Sequence, residues 1–314
     1  MSFFLLILGF AVLIKSADIL IDSASKLARM FAIPSFIIGF SVVAFGTSAP
    51  ELVIGIFSGL SQSNLITLGD VIGSCIANIA LIIGVTAIIR PLAIDSSVLY
   101  KEIPLSFGIQ LLLFCMIIIG GVLSKIDAVI LLILFAVFLF YIFSRSKNLG
   151  IANEENESST ETTTKNPKIK LAGLLIISIT GVIIGGNLVV NSSTAIAHRF
   201  GLSDVLIGST IVALGTSLPE LVTSIVAALK RQSDIAIGNI IGSNIFNILF
   251  VLGVSSLIHP IPKTPGITID ISIMLFATLL AFFIPLRCKT ISRLGGIILL
   301  ALYVSFMIYK VFLG

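Results

Sequence analysis

Long apolar stretches, each closed by a short group of Gly, Pro or charged residues, divide the chain along its whole length. The stretches have the length needed to cross a bilayer as helices. The pattern predicts helices over about 3–27, 34–59, 65–89, 103–123 and 126–143, then 171–199, 204–229, 234–258, 268–285 and 294–313. Between the two sets lies 144–170, polar and charged, with Glu154, Glu155 and Glu157 followed by a Ser/Thr run. Such a composition cannot bury enough apolar surface to fold, so this segment is expected to be a disordered linker.

The expected fold class is therefore all-α: a polytopic membrane protein with ten transmembrane helices in two five-helix halves, 1–143 and 171–314. Five spans return the chain to the opposite side, so the second half enters the membrane inverted. Basic residues test this count. Fourteen of the 19 Lys and Arg fall on one face of the expected topology, four on the other, and Lys15 lies within the first helix. By the positive-inside rule the richer face, which carries the linker, is cytoplasmic and both termini are outside.

Composition agrees with this picture. Hydrophobic residues make up 57% of the chain and charged residues 11%, with a mean hydropathy of +1.19. A soluble domain does not reach these values. The basic balance has a topological explanation, and no basic run interleaved with aromatics points to nucleic acid. The first apolar stretch lacks a basic leader and is read as a retained helix rather than a cleaved signal. Cys75, Cys115 and Cys288 lack metal spacing and are expected to be buried small hydrophobes.

Within the apolar stretches one polar segment is repeated. Gly46-Thr47-Ser48-Ala49-Pro50-Glu51 returns 169 residues later as Gly215-Thr216-Ser217-Leu218-Pro219-Glu220. Aligned at that offset, 38–79 and 207–248 share 21 of 42 residues without a gap. Shared apolar composition does not make Gly, Thr, Ser, Pro, Glu and Asn coincide. Gly73-Ser74, followed by Asn78, likewise matches Gly242-Ser243, followed by Asn247.

Pro50 and Pro219 lack an amide hydrogen, so each frees the carbonyl four residues earlier, on Gly46 and Gly215. A freed carbonyl within a membrane needs a donor, water or a cation. Thr47, Ser48 and Glu51 share one face if the helix is continuous, and Ser74 and Asn78 are spaced by one turn. Each half thus offers a carboxylate, hydroxyls, an amide oxygen and carbonyls, a hard-oxygen set suited to Ca²⁺ or Na⁺. One carboxylate at the centre of a membrane helix costs about 2.5–3.5 kcal/mol, and intramembrane acids mark ion paths. Glu51 and Glu220 are therefore the expected centre of a cation site. Two carboxylates neutralise one divalent ion.

Other polar residues carry less. Lys15, Asp18 and Asp22 lie at helical spacing, but Asn187 and Asn191 stand at the repeat positions of the two acids, which favours a local Lys15–Asp18 pair. Asp70, opposite Asn239, is expected to cap its helix. His198 and His259 fall near span ends and indicate no sensor.

The paired G-T-S-x-P-E and G-S-x-I-x-N motifs resemble those of the cation/calcium exchanger superfamily, most closely the small prokaryotic sodium/calcium exchangers. The resemblance implies ten helices in two inverted repeats, electrogenic exchange of sodium for calcium by alternating access, and a prokaryotic plasma-membrane location. It implies Glu51 and Glu220 as main calcium ligands shared with sodium. Oxygens of Thr47, Ser48, Thr216 and Ser217, the carbonyls of Ala44 and Ala213, and the side chains of Ser74, Ser243, Asn78 and Asn247 complete the set. Some relatives have Asp where this chain has Asn247; the neutral residue here implies potassium independence. Cys75 departs from the motif, where the second copy has Asn244. No cofactor, enzymatic activity or obligatory protein partner is implied beyond the transported Ca²⁺ and Na⁺ and the surrounding bilayer.

Ligand chemistry alone leaves a proton/calcium antiporter open, and a passive cation channel as well. An intramembrane aspartyl protease would use Gly69-Asp70 with a second aspartate, and Asp18 or Asp22 would have to serve; the repeat does not copy Asp70.

Overall fold

The computed structural model describes residues 2–31, 33–61, 65–153, 167–200 and 213–313. The described chain is almost entirely helical. α1 is Ser2–Met30. α2, Ser35–Thr47, and α3, Ala49–Leu60, meet at a 46° bend. α4 covers 65–89, with a π-helical turn at Ala77–Ile82. α5 is Val98–Gly120, α6 Lys125–Asn153 and α7 Pro167–Arg199. A single turn, Ala213–Gly215, precedes α8, Leu218–Leu229. α9 is Ser233–Ile258, α10 Ile267–Phe283 and α11 Arg293–Leu313.

Seven of these helices are long and apolar enough to cross a membrane, and eight if the bent α2–α3 pair is one span. α10, with 17 residues, and α8, with 12, are apolar but shorter. Residues 204–212 of the expected seventh helix lie outside the described residues. The expected linker is shorter than its composition indicates: α6 continues to Asn153 and α7 begins at Pro167. Pro167 stands at the first helical position of α7, where its missing N–H costs nothing. The intervening 154–166 lie outside the described residues.

Local geometry repeats at the same offset as the sequence. Arg90 and His259 end their helices in matching extended conformations, φ −145°, ψ 122° and φ −144°, ψ 128°. Pro91 and Pro260 follow them, and proline excludes the helical conformation from the residue before it. Each half holds two short strands: β1 (Leu92–Ala93) and β2 (Val122–Leu123) on either side of α5, and β3 (Ile261–Pro262) and β4 (Thr290–Ile291) on either side of α10. β1 pairs antiparallel with β4, and β2 with β3, so each ribbon ties one half to the other.

α9 lies at the centre, almost wholly buried. Gly238 lets it approach α2 closely: a Cβ there would stand 2.6 Å from the Phe36 carbonyl oxygen and 2.9 Å from the Phe40 nitrogen. Small residues allow such backbone contact between membrane helices. α1 lies along α7 and also touches α8. Phe45, Phe135, Phe246 and Phe250 pack together across α2, α6 and α9, with ring centroids 4.8–5.8 Å apart. Cys75 is buried as expected, but Cys115 and Cys288 are exposed. Cys115 sits on the outer face of α5 and Cys288 in the turn before β4. An apolar thiol faces lipid at little cost, so chain hydropathy alone did not determine burial.

Candidate functional site

Pro50 and Pro219 act as breaks rather than kinks in continuous helices. The chain leaves helical geometry at Ser48 (φ −85°, ψ 12°) and at Ser217 (φ −84°, ψ 0°). Each proline then occupies the first turn of the following helix, where its missing N–H costs nothing. Glu51 and Glu220 lie in those same first turns, at the positive ends of α3 and α8. Both are fully buried, at 1% and 0% exposure.

The break changes which side chains meet. On one continuous helix, Thr47 and Ser48 are expected beside Glu51. Instead both reach across to the other half. Ser48 Oγ donates to Glu220 Oε1 at 2.9 Å. Thr47 Oγ1 donates to Asn239 Oδ1 at 3.1 Å or to the Ala44 carbonyl at 3.2 Å. Thr216, the repeat mate of Thr47, mirrors this with Asp70 Oδ1 at 3.3 Å. Within each half the third-helix serine meets the glutamate: Ser74 with Glu51 and Ser243 with Glu220, both at 3.5 Å. Ser243 Oγ is also 3.4 Å from the Ala44 carbonyl.

One group thus joins Glu220, Ser48, Ser243, Ala44 and Thr47, and a second joins Glu51, Ser74 and Thr216. Asn78 lies where the π turn of α4 begins, and Asn247 where that of α9 begins. Such turns rotate the following side chains relative to the helix before them, and they are frequent at functional sites. Asn78 Nδ2 donates to Asn244 Oδ1 at 2.9 Å, and Asn244 Nδ2 donates to the Cys75 carbonyl at 3.3 Å. The departure from the motif at Cys75 therefore stands against Asn244, its repeat mate. Asn247 and Ser217 are buried, and their side-chain polar atoms have no hydrogen-bond partner. Ala213 opens the turn before the second break.

The unpartnered buried atoms concentrate here. They include Glu51 Oε2, Glu220 Oε2, Asn78 Oδ1, Ser217 Oγ, and both Asn247 amide atoms. Buried polar atoms are normally paired, and in hydrocarbon the cost of leaving them unpaired rises. The residues are oxygen-rich, and among the described residues no three His, Cys, Asp or Glu side chains converge. This donor set suits a hard cation held by mixed hydroxyl, amide and carboxylate oxygens. A cavity of about 310 Å³ adjoins both breaks, lined by Pro50, Asn187, Gly215, Thr216 and Pro219 among others.

Two residues behave differently from the sequence reading. Asp70 lies in the second turn of α4, away from its end, and accepts from Thr216 rather than capping. The signal was the repeat, which pairs Asp70 with Asn239 at the same offset that pairs Glu51 with Glu220. Asp18 does meet Lys15, at 3.5 Å, but its closer partner is Lys230 at 2.7 Å, which also holds Asp22 at 2.6 Å. Lys230 is 212 residues from Asp18, and no local pattern announces that pair.

A family model described as sodium/calcium exchanger protein matches residues 1–144 and 170–312. The chain is 36% identical to the inner membrane protein YrbG of Escherichia coli, over 88% of this chain and 86% of that one. It is 29% identical to the sodium/calcium exchanger MaX1 of Methanosarcina acetivorans, over 98% and 97%. A solved structure of the sodium-calcium exchanger NCX_Mj, soaked with Na⁺ and Sr²⁺, superposes with a TM-score of 0.85 at 33% identity, covering 100% of this chain and 98% of that one.

Proposed function

The chain belongs to the sodium/calcium exchanger protein family, and we propose that it exchanges sodium for calcium across the membrane by alternating access. It is an integral membrane transport protein rather than an enzyme. The observation that carries the proposal is the pair of fully buried glutamates, each with one unpartnered carboxylate oxygen and each touched by a serine hydroxyl. Calcium held between Glu51 and Glu220 would satisfy those oxygens and cancel both charges. Sodium ions would then replace it on the same carboxylates and on the hydroxyl and carbonyl oxygens of Thr47, Ser48, Ser74, Thr216, Ser217, Ser243, Ala44 and Ala213. Asn78 and Asn247 complete this proposed set.

The proposed architecture is ten transmembrane helices in two inverted repeats, 1–143 and 171–314, with the connecting segment cytoplasmic and both termini outside. The near-coincidence of helix breaks and helix ends at one sequence offset supports the repeats. We infer that the exchange is electrogenic, as it is whenever the monovalent ions carry a total charge other than that of the calcium they replace. The neutral side chain of Asn247 supports potassium independence.

Purified protein in vesicles loaded with sodium, then diluted into sodium-free calcium buffer, is expected to accumulate calcium. Collapse of the proton gradient leaves that uptake in place. Calcium entry indifferent to internal sodium overturns the proposal, and entry driven by protons alone identifies a proton/calcium antiporter instead.

A further inference from the structure

α1 and α7 pack backbone against backbone. A Cβ at Gly185 of α7 would stand 2.6 Å from the Leu13 nitrogen of α1, and one at Gly9 of α1 would stand 3.0 Å from the Val189 nitrogen. Helices in such close contact leave no side-chain layer to shear, so the pair moves as one body. It meets its neighbours differently at its two sides. α1 is fastened to the end of α8: Lys230 Nζ lies 2.7 Å from Asp18 Oδ1 and 2.6 Å from Asp22 Oδ1. α7 stands off from α3 across the cavity of about 310 Å³, whose walls include Val53 and Ile54 of α3 and Ile183, Asn187 and Val190 of α7.

At the repeat offset, α1 corresponds to α7 and α8 to α3. The α1–α8 contact and the α7–α3 gap are therefore the same relationship, closed in one half and open in the other. The open cavity reaches both helix breaks, at Pro50 and at Gly215 to Pro219. A groove of about 480 Å³ beside Lys230 is lined by α1 and α8 alone, with Lys15 and Asp18 among its residues, and reaches neither break. In an inverted repeat, alternating access moves one bundle against the other around a fixed site. Moving the α1–α7 pair so that α7 closes on α3 parts α1 from α8 and breaks both Lys230 ion pairs. The newly closed contact gains none in return. Ser61, Asn187 and Asn191 stand at the positions matching Lys230, Asp18 and Asp22, and none of them is charged.

We propose that Lys230, Asp18 and Asp22 form an ionic latch that favours the state open between α3 and α7 and so makes the two faces of the exchanger unequal. It rests on the alternating-access reading above, in which the Lys230 end of α8 is cytoplasmic. Asp18 keeps Lys15, 3.5 Å away on its own helix, when the latch opens. Partly exposed ion pairs are individually weak, so the bias is modest and both states stay in use. Calcium arriving from the cytoplasm meets the less populated state, and its apparent affinity on that face falls with the fraction of molecules unlatched.

The test reads conformation directly, by the rate at which a water-soluble maleimide labels a single added thiol. It uses the full chain with Cys115→Ala and Cys288→Ala, which remove the exposed thiols. One reporter is Ile21→Cys on α1. Ile21 is 0% exposed, and its repeat mate Val190 lines the open cavity, so this position is expected to become reachable only when the α1–α8 side opens. The other reporter is Ile54→Cys, in the cavity already open. Adding Lys230→Met is expected to speed labelling at position 21 about three- to tenfold and not to speed it at position 54. Lys230→Arg keeps the slow rate at position 21. Asp18→Asn with Asp22→Asn is expected to act as Lys230→Met does, and it keeps the test decisive if Lys230→Met does not fold. An unchanged rate at position 21 overturns the latch. Faster labelling at both positions is general loosening and overturns it too. Wild-type vesicles whose calcium uptake ignores sodium overturn the exchange reading itself, a failure seen without any variant or label.

Discussion

Ser48 Oγ donates a 2.9 Å hydrogen bond to Glu220 Oε1, joining the break in one half to the buried carboxylate of the other. Its repeat mate does not return the contact: Ser217 Oγ is buried and unpartnered. The two serines should therefore respond differently to substitution. Ser48→Ala removes a hydrogen bond to a charged group and is expected to cost about 1.5–3 kcal/mol. Ser217→Ala removes an unpaired hydroxyl and should be neutral or slightly stabilising without ions. Thermal unfolding of both variants in calcium-free, sodium-free buffer checks this, and equal losses would refute the asymmetry.

The glutamates should show activity and stability moving in opposite directions. Glu51→Gln and Glu220→Gln each remove a ligand charge, and each is expected to reduce calcium uptake at least about a hundredfold. Each also removes a buried charge that has no cation beside it when ions are withdrawn. An unpaired buried charge destabilises by several kcal/mol, so both variants should melt above the wild type in chelator. Calcium should raise the melting temperature of the wild type, as any ligand specific to the folded state does, and should not raise that of the variants. A wild type indifferent to calcium, or a Gln variant with full uptake, would remove Glu51 and Glu220 from the ion site.

Asn244 gives a test of structure apart from ion binding. Its amide is used at both ends, by Asn78 and by the Cys75 carbonyl, where α4 and α9 meet. Asn244→Ala leaves Asn78 Nδ2 without its partner at a position of 1% exposure. A loss of about 1–3 kcal/mol is expected, measured as a lower melting temperature with and without calcium alike. A loss that calcium fully reverses would instead make Asn244 part of the ion site.

The repeat, the two acids and the helical class were legible because each rests on a local pattern: an apolar run, a proline, a carboxylate where hydropathy forbids one. Partner choice was not legible. Thr47 and Ser48 looked like neighbours of Glu51 because helix spacing was extended through Pro50, whereas the backbone breaks at Ser48 and turns both hydroxyls towards the second half. Asp70 suits a cap by its place near the start of an apolar run, and that pattern carries no information on depth in the fold. The repeat itself held the correction, since Asn239 sits opposite and is fully buried. Exposure of Cys115 could not be read either, because a lipid-facing and a core-facing position are equally apolar in a membrane helix.

Lys230 poses a question that neither hydropathy nor the repeat could raise. Its ammonium lies 2.7 Å from Asp18 Oδ1 and 2.6 Å from Asp22 Oδ1, and it donates to the Asp18 carbonyl at 2.9 Å. These contacts fasten the end of α8 to the middle of α1. The repeat-related pairing does not exist: Ser61, Asn187 and Asn191 stand at the positions matching Lys230, Asp18 and Asp22. The two carboxylates are 38% and 55% exposed, so solvent and salt screen the attraction. Lys230→Met keeps the apolar stem and removes the ammonium, with both ion pairs and the hydrogen bond to the Asp18 carbonyl. It is expected to lower stability by about 1 kcal/mol or less, and the difference from the wild type should shrink in molar salt, where screening reaches within about 3 Å. Melting curves of both proteins at low and high ionic strength decide it. A large loss that salt leaves untouched would show that the backbone contact to Asp18, rather than the charge pairs, holds α8 against α1.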